Sequence, residues 1–181
     1  MEEKQVKLFD VIRSAGGGKF VSALAARAGI EPGEAEEALR ALLPEIGRAI
    51  RRTEESGSGA AAVHATMRDE RYGRYLEQPE ALAESTAVPD GERVLADVLD
   101  EDERGGLIRR VAAEIGPNEE EVRDMLPLVA TLAMAALGQK LRDASPGLPW
   151  FGSRPDDRFG APLLDALTAL FEPDEDERKD R

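Results

Sequence analysis

Hydrophobic positions are densest in residues 118–141, NEEEVRDMLPLVATLAMAALGQKL. From Met125 to Leu137 only Pro127 and Thr131 interrupt a run of aliphatic residues, Met and Ala. A helix that is apolar on every face is enclosed by other elements, so this stretch predicts a buried central helix. Asn118 followed three residues later by Glu121 is a capping-box pattern. Glu119, Glu120 and Glu121 put negative charge where the helix dipole favours it. Pro127 has no N–H and crowds the carbonyl of Arg123, which predicts a kink or a break into two helices. The run stops short of the roughly 20 apolar residues of a membrane span and gives way to Gly138, Gln139 and Lys140.

Elsewhere apolar residues recur at helical spacing. Val6, Leu8, Phe9 and Ile12 predict a helix over 4–14, ended by Gly16, Gly17 and Gly18. Helices follow at 19–28 and 32–52, the second with Pro32 in its first turn and a stripe of Leu39, Leu42, Leu43, Ile46 and Ile50. Pro44 falls inside it. Residues 54–62, EESGSGAAA, read as a flexible connection. Residues 60–68 form a short helix with Val63 and Met67 inward. Tyr72, Tyr75 and Leu76 are placed across the core, and Pro79 starts a short helical turn. Asp90-Gly91 opens a helix with Val94, Leu95, Val98 and Leu99 on one face. The next helix, 103–115, buries Leu107, Ile108, Val111 and Ile115. No run alternates with period two, so the fold expected is all-α: a compact multi-helix domain around the central helix.

The texture changes after Leu141. Residues 142–160 are rich in Pro and Gly and read as a linker carrying Trp150 and Phe151. Leu163, Leu164, Leu167, Leu170 and Phe171 give residues 161–171 an amphipathic helical pattern, and 172–181 reads as a charged, disordered tail. The aromatic pair reads either as docking onto the domain, the favoured reading, or as an exposed anchor for a partner; Trp150, Phe151, Leu163, Leu164, Leu167 and Phe171 are the candidate partner-binding residues, attached to a helical domain over 1–141.

Within that domain the sequence repeats, at about 20–52 and 107–141. LAARAGIEPGEAEEALRALLP and VAAEIGPNEEEVRDMLP share an apolar-Ala start, a Gly turn, an acidic helix start and Leu-Pro. Gly29 precedes Pro44 by fifteen residues and Gly116 precedes Pro127 by eleven; the difference of four is about one helical turn. Each copy also fits helix-turn-helix spacing, which raises DNA reading by its second helix. The charges oppose this, because Glu34, Glu36, Glu37, Glu119, Glu120 and Glu121 would face the phosphates.

Composition narrows the chemistry. Aromatics are only 4% of the chain, so the core is built from Leu, Val, Ile, Met and Ala. A net charge of −13 disfavours a general nucleic-acid surface. There is no cysteine, which removes disulfides and thiolate chemistry. The start, MEEKQVKLFDVIRS, has no apolar signal core, and a cytoplasmic protein without a membrane segment is expected. The single histidine, His64, has no Cys beside it for zinc, and Ser56 and Ser58 lie in a Gly-Ser run that cannot preorganise a triad. GGGK at 16–19 lacks a following Ser or Thr and follows a helix, so it is no phosphate loop. Asp174 and Asp176 are followed by Arg178 and Lys179 where a calcium loop needs an oxygen ligand and a Gly. No catalytic, cofactor-binding or metal-binding residues are expected.

The stretches LFDVIRSAGGG, AGIEPGEAEEALRALLP, YGRYLEQPEALAESTAVPDGERVLADVLDEDE and VAAEIGPNEEEVRDMLPLVATLAMAALG together resemble the YidB-like family of bacterial proteins, a domain of unknown function. The resemblance covers roughly residues 6–140. It implies an all-helical domain with homeodomain-like corners and no established catalytic residues. Relatives often carry a Gly-His pair and an aromatic in the Asp-Gly helix, where this chain has Ala96, Asp97 and Leu99. Relatives also often end in a Gly-rich stretch, which the Trp-Phe linker, second apolar segment and acidic tail replace here. Two functions follow as expectations: a non-catalytic helical module that binds a protein partner or itself, and, as the alternative, a nucleic-acid-associated regulator.

Overall fold

Ala- and Leu-rich segments with 3.6-residue spacing favour helix over strand, and helix is what forms. The computed structural model describes residues 8–116 and 118–144. In chain order the helices are α1 (Leu8–Ser14), α2 (Phe20–Ala28), α3 (Pro32–Ser56), α4 (Ala60–Arg68), α5 (Arg74–Glu77), α6 (Ala87–Val98), α7 (Glu101–Ile115) and α8 (Glu119–Ala144). Short 3-10 turns lie at Ala15–Gly18, Glu70–Tyr72 and Pro79–Ala83. The described residues contain no strand.

Helix α8 is the axis. Every residue in 125–138 is buried, and each of α1 to α7 packs against it, α6 most extensively. Burying a Leu, Val or Met side chain is worth roughly 1.5–3 kcal/mol, so this one helix supplies much of the apolar driving force. Asn118 caps it as expected: Glu121 N–H donates to Asn118 Oδ1 at 3.0 Å, and Asn118 N–H donates to Glu121 Oε2 at 2.8 Å. The same device opens α7, where Asp100 and Glu103 exchange bonds of 3.1 and 2.8 Å. At the start of α3, Glu31 N–H donates to Glu34 Oε2 at 3.0 Å.

Pro127 does not break α8, nor Pro44 α3; each helix runs through its proline as one element. The carbonyls left without a helical donor belong to Arg123 and Arg40, both exposed residues, where water can replace the missing N–H. Two glycines set the closest helix approaches. A Cβ at Gly91 of α6 would fall 1.8 Å from the Pro127 carbonyl oxygen, and one at Gly138 of α8 would fall 2.9 Å from the Met67 carbonyl oxygen. Thr131, fully buried, donates from Oγ1 toward Ala87 O at 2.9 Å and Pro127 O at 3.1 Å.

Two boundaries and one burial differ from the sequence expectation. The segment 54–62 is not one connection. Helix α3 continues to Ser56 and stops at Gly57, whose φ of 71° is left-handed; buried Thr53 satisfies its hydroxyl on Ala49 O, so nothing ends the helix earlier. Asp90-Gly91 does not open its helix but lies in the first turns of α6, which starts at Ala87. Ile115 is half-buried, at the exposed end of α7. The corners α2–α3 and α7–α8 turn at Gly29 and Gly116, with φ of 73° and 97°. The expected linker, the apolar segment at 161–171 and the tail lie outside the described residues.

Candidate functional site

Two features of α6 stand out, a buried polar cluster at its start and an open groove at its end. The cluster centres on Asp90, 4% exposed. Tyr75 OH donates to Asp90 Oδ2 at 2.8 Å, and Tyr72 OH donates to the Asp90 backbone carbonyl at 3.0 Å. The two rings meet edge to face, with centroids 6.2 Å apart. Guanidinium groups of Arg71 and Arg93 stand 4.0 and 3.9 Å from Asp90 Oδ1. Arg74 donates to Thr86 Oγ1 at 2.7 Å and to Tyr75 OH at 3.1 Å, lies over the Tyr75 ring, and pairs with Glu84 at 3.0 Å.

Electrostatics follow from these contacts. The Arg71 guanidinium holds the Asp69 carboxyl below its ordinary range. Burial, reinforced by the Asp90 charge, pushes the Tyr72 phenol up to about 12. Both phenol hydroxyls donate inside the cluster. The arrangement clasps the Glu70–Tyr72 turn and α5 to the start of α6; it is architecture, with Arg74 Nε the one buried cluster atom lacking a partner among the described residues.

The groove is about 660 Å³, between the end of α6, the start of α7 and Arg123 of α8. Leu95 and Ile108 form its floor, Ala96 and Leu99 its α6 wall, and Gly105 its α7 wall. Asp100, Glu101, Arg104 and Arg123 also line it. Arg104 is fixed by a bidentate pair with Glu92, whereas Arg123 has only a 3.9 Å approach to Glu119. Burial raises the Asp97 carboxyl above its ordinary value. Ala96 and Leu99, two positions where the chain departs from the pattern it resembles, thus line the opening.

His64 faces a carboxylate of α3. Its Nε2 lies 2.8 Å from Glu54 Oε2, and the Glu54 side chain is 4% exposed. The pair ties α4 to the end of α3. No group of three His, Cys, Asp or Glu side chains suited to a metal occurs among the described residues. Trp150, Phe151, Leu163, Leu164, Leu167 and Phe171 lie outside the described residues. Neither the groove nor the Asp90 cluster is among the sequence expectations; an Asp-Gly pair in an amphipathic helix that follows two tyrosines is the sequence signal that points to the cluster.

A family model described as bacterial protein of unknown function, DUF937, matches residues 10–140. The chain belongs to that family. No curated protein and no solved structure matches it. The DUF937 match begins within α1 and ends within α8, and so includes both the Asp90 cluster and the groove. No helix among the described residues is long and apolar enough to cross a membrane.

Proposed function

We propose that this DUF937 protein is a non-catalytic helical module that binds a protein partner, with the α6–α7 groove as the receiving surface. The observation that carries the reading is the groove itself. It has an apolar floor of buried Leu95 and Ile108, small side chains at Ala96 and Gly105, and charges of both signs among its lining residues. Apolar anchors seated between polar rims are how a partner helix is held. The exposed acidic starts of α3 and α8 favour a protein ligand over nucleic acid.

The test is capture by the tagged full-length protein from its native lysate, with and without nuclease, beside a Leu99→Glu variant of unchanged thermal midpoint. The expected result is a stoichiometric protein that survives nuclease and is recovered at least tenfold less by the variant, a loss of about 1.4 kcal/mol or more. Equal recovery by Leu99→Glu, or recovery lost on nuclease treatment, overturns the reading.

A further inference from the structure

We infer that the α6–α7 groove has an occupant within the same chain: residues 161–171, APLLDALTALF. The inference rests on the groove being a docking surface and adds what fills it when no partner is present.

Complementarity comes first. Leu163, Leu164, Leu167, Leu170 and Phe171 recur at i, i+1, i+4, i+7 and i+8, the spacing with which a helix presents one apolar face. The groove offers a matching strip along half-buried Leu99 and Gly105 and exposed Ala96. Next to the segment run Glu172, Asp174, Glu175, Asp176 and Glu177, and the groove is lined by Arg123, whose ion pair among the described residues is a 3.9 Å approach to exposed Glu119.

Reach comes second. The last described residue is Ala144, and residues 145–160 separate it from the segment. From Ala144 back to Arg123 is 21 residues of α8, about 32 Å at the helical rise. Sixteen residues of chain span at most about 55 Å, so the connection closes without strain. A tether of this length gives the segment an effective concentration on the order of millimolar at the groove. A partner must then outcompete the chain's own segment, which makes the segment a built-in brake on partner binding.

The full-length chain provides a clean test because it has no cysteine. Leu99→Cys with Leu167→Cys would be compared with Ala113→Cys plus Leu167→Cys in a glutathione redox buffer, Ala113 being an exposed α7 position. Ala96→Cys with Leu167→Cys is the second groove pair, should the Leu99 variant not fold. The expected result is an intramolecular disulfide formed at least tenfold more readily by a groove pair than by the control. Equal yields overturn the inference, and so does a crosslinked dimer, which would place a second copy's segment in the groove. Either outcome leaves the partner-capture result standing, so the two readings fail separately.

Discussion

Gly91 of α6 rests directly on the backbone of Pro127 in α8: a Cβ at position 91 would come within 1.8 Å of the Pro127 carbonyl oxygen and 2.4 Å of its carbonyl carbon. Both obstructing atoms are backbone of the most buried helix, so neither can swing aside. The Asp-Gly pair thus does two jobs in adjacent positions. Asp90 anchors the tyrosine clasp and Gly91 lets the two helices cross at contact distance.

Gly91→Ala should therefore cost about 3 kcal/mol or more by overpacking, lowering the thermal midpoint by roughly 6–12 °C for a domain of this size. Gly106→Ala is the control, since a Cβ there meets nothing within 4 Å inside α7; it should be neutral or stabilise by up to about 1 kcal/mol. Scanning calorimetry of the two variants decides the matter, and equal midpoints would refute the close crossing.

Thr131→Val tests the other tie between these helices. The change keeps the shape and removes the 2.9 Å bond that ties α8 to the Ala87 carbonyl, which keeps its helical partner within α6. Losing one such bond costs about 0.5–1.5 kcal/mol. Urea titration should show a lower midpoint with an unchanged slope; a midpoint equal to wild type would mean that this tie contributes nothing to stability.

Tyr72 predicts an alkaline limit to stability. Its phenol is pushed from 10.0 up to about 12 in the fold. The folded state then keeps a proton that the unfolded state releases, so stability is fully present below pH 10 and falls as pH rises from about 10 to 12. That rise corresponds to roughly 2–3 kcal/mol. Tyr72→Phe should flatten the stability profile between pH 10 and 12, measured by denaturant titration at successive pH values. An unaltered slope would show that other groups set the alkaline limit.

What the sequence made legible, and what it did not, divides along physical lines. Burial of α8 was readable because residues 125–137 are apolar on every face, and its cap because Asn118 and Glu121 are local partners three residues apart. Of the kink or break that Pro127 predicts, the break does not occur, because the cost of the proline depends on where the orphaned carbonyl points, and Arg123 is exposed. The Asp90 clasp joins residues 15 and 18 positions apart across two turns, beyond any local pattern. Gly91 and Gly138 resemble ordinary turn or helix-end glycines until the helix crossing is known. The groove arises from missing bulk at Ala96 and Gly105, and small side chains give no signal of their own.

Asp69 and Asp97 should respond to charge removal with opposite signs. Asp97 is raised by burial, with Arg93 opposing it only through space. For an acid raised in the fold, stability is present below the ordinary value of 3.8 and is lost as pH rises through the folded value. At pH 7 the charged carboxylate therefore weakens the fold, and Asp97→Asn should stabilise, within the roughly 0.5 kcal/mol typical of partly exposed sites. Asp69 is held low by the Arg71 guanidinium, at 2.6 Å from its Oδ2. Its contribution is present above the ordinary value and is lost as pH falls through the folded one, so Asp69→Asn should destabilise at pH 7. Thermal midpoints at pH 7 and pH 3 distinguish these charge effects from packing. Both differences from wild type should shrink at pH 3, where Asp97 is already protonated and the Asp69 contribution is being lost; differences of the same size at both pH values would assign them to the shape of the amide instead.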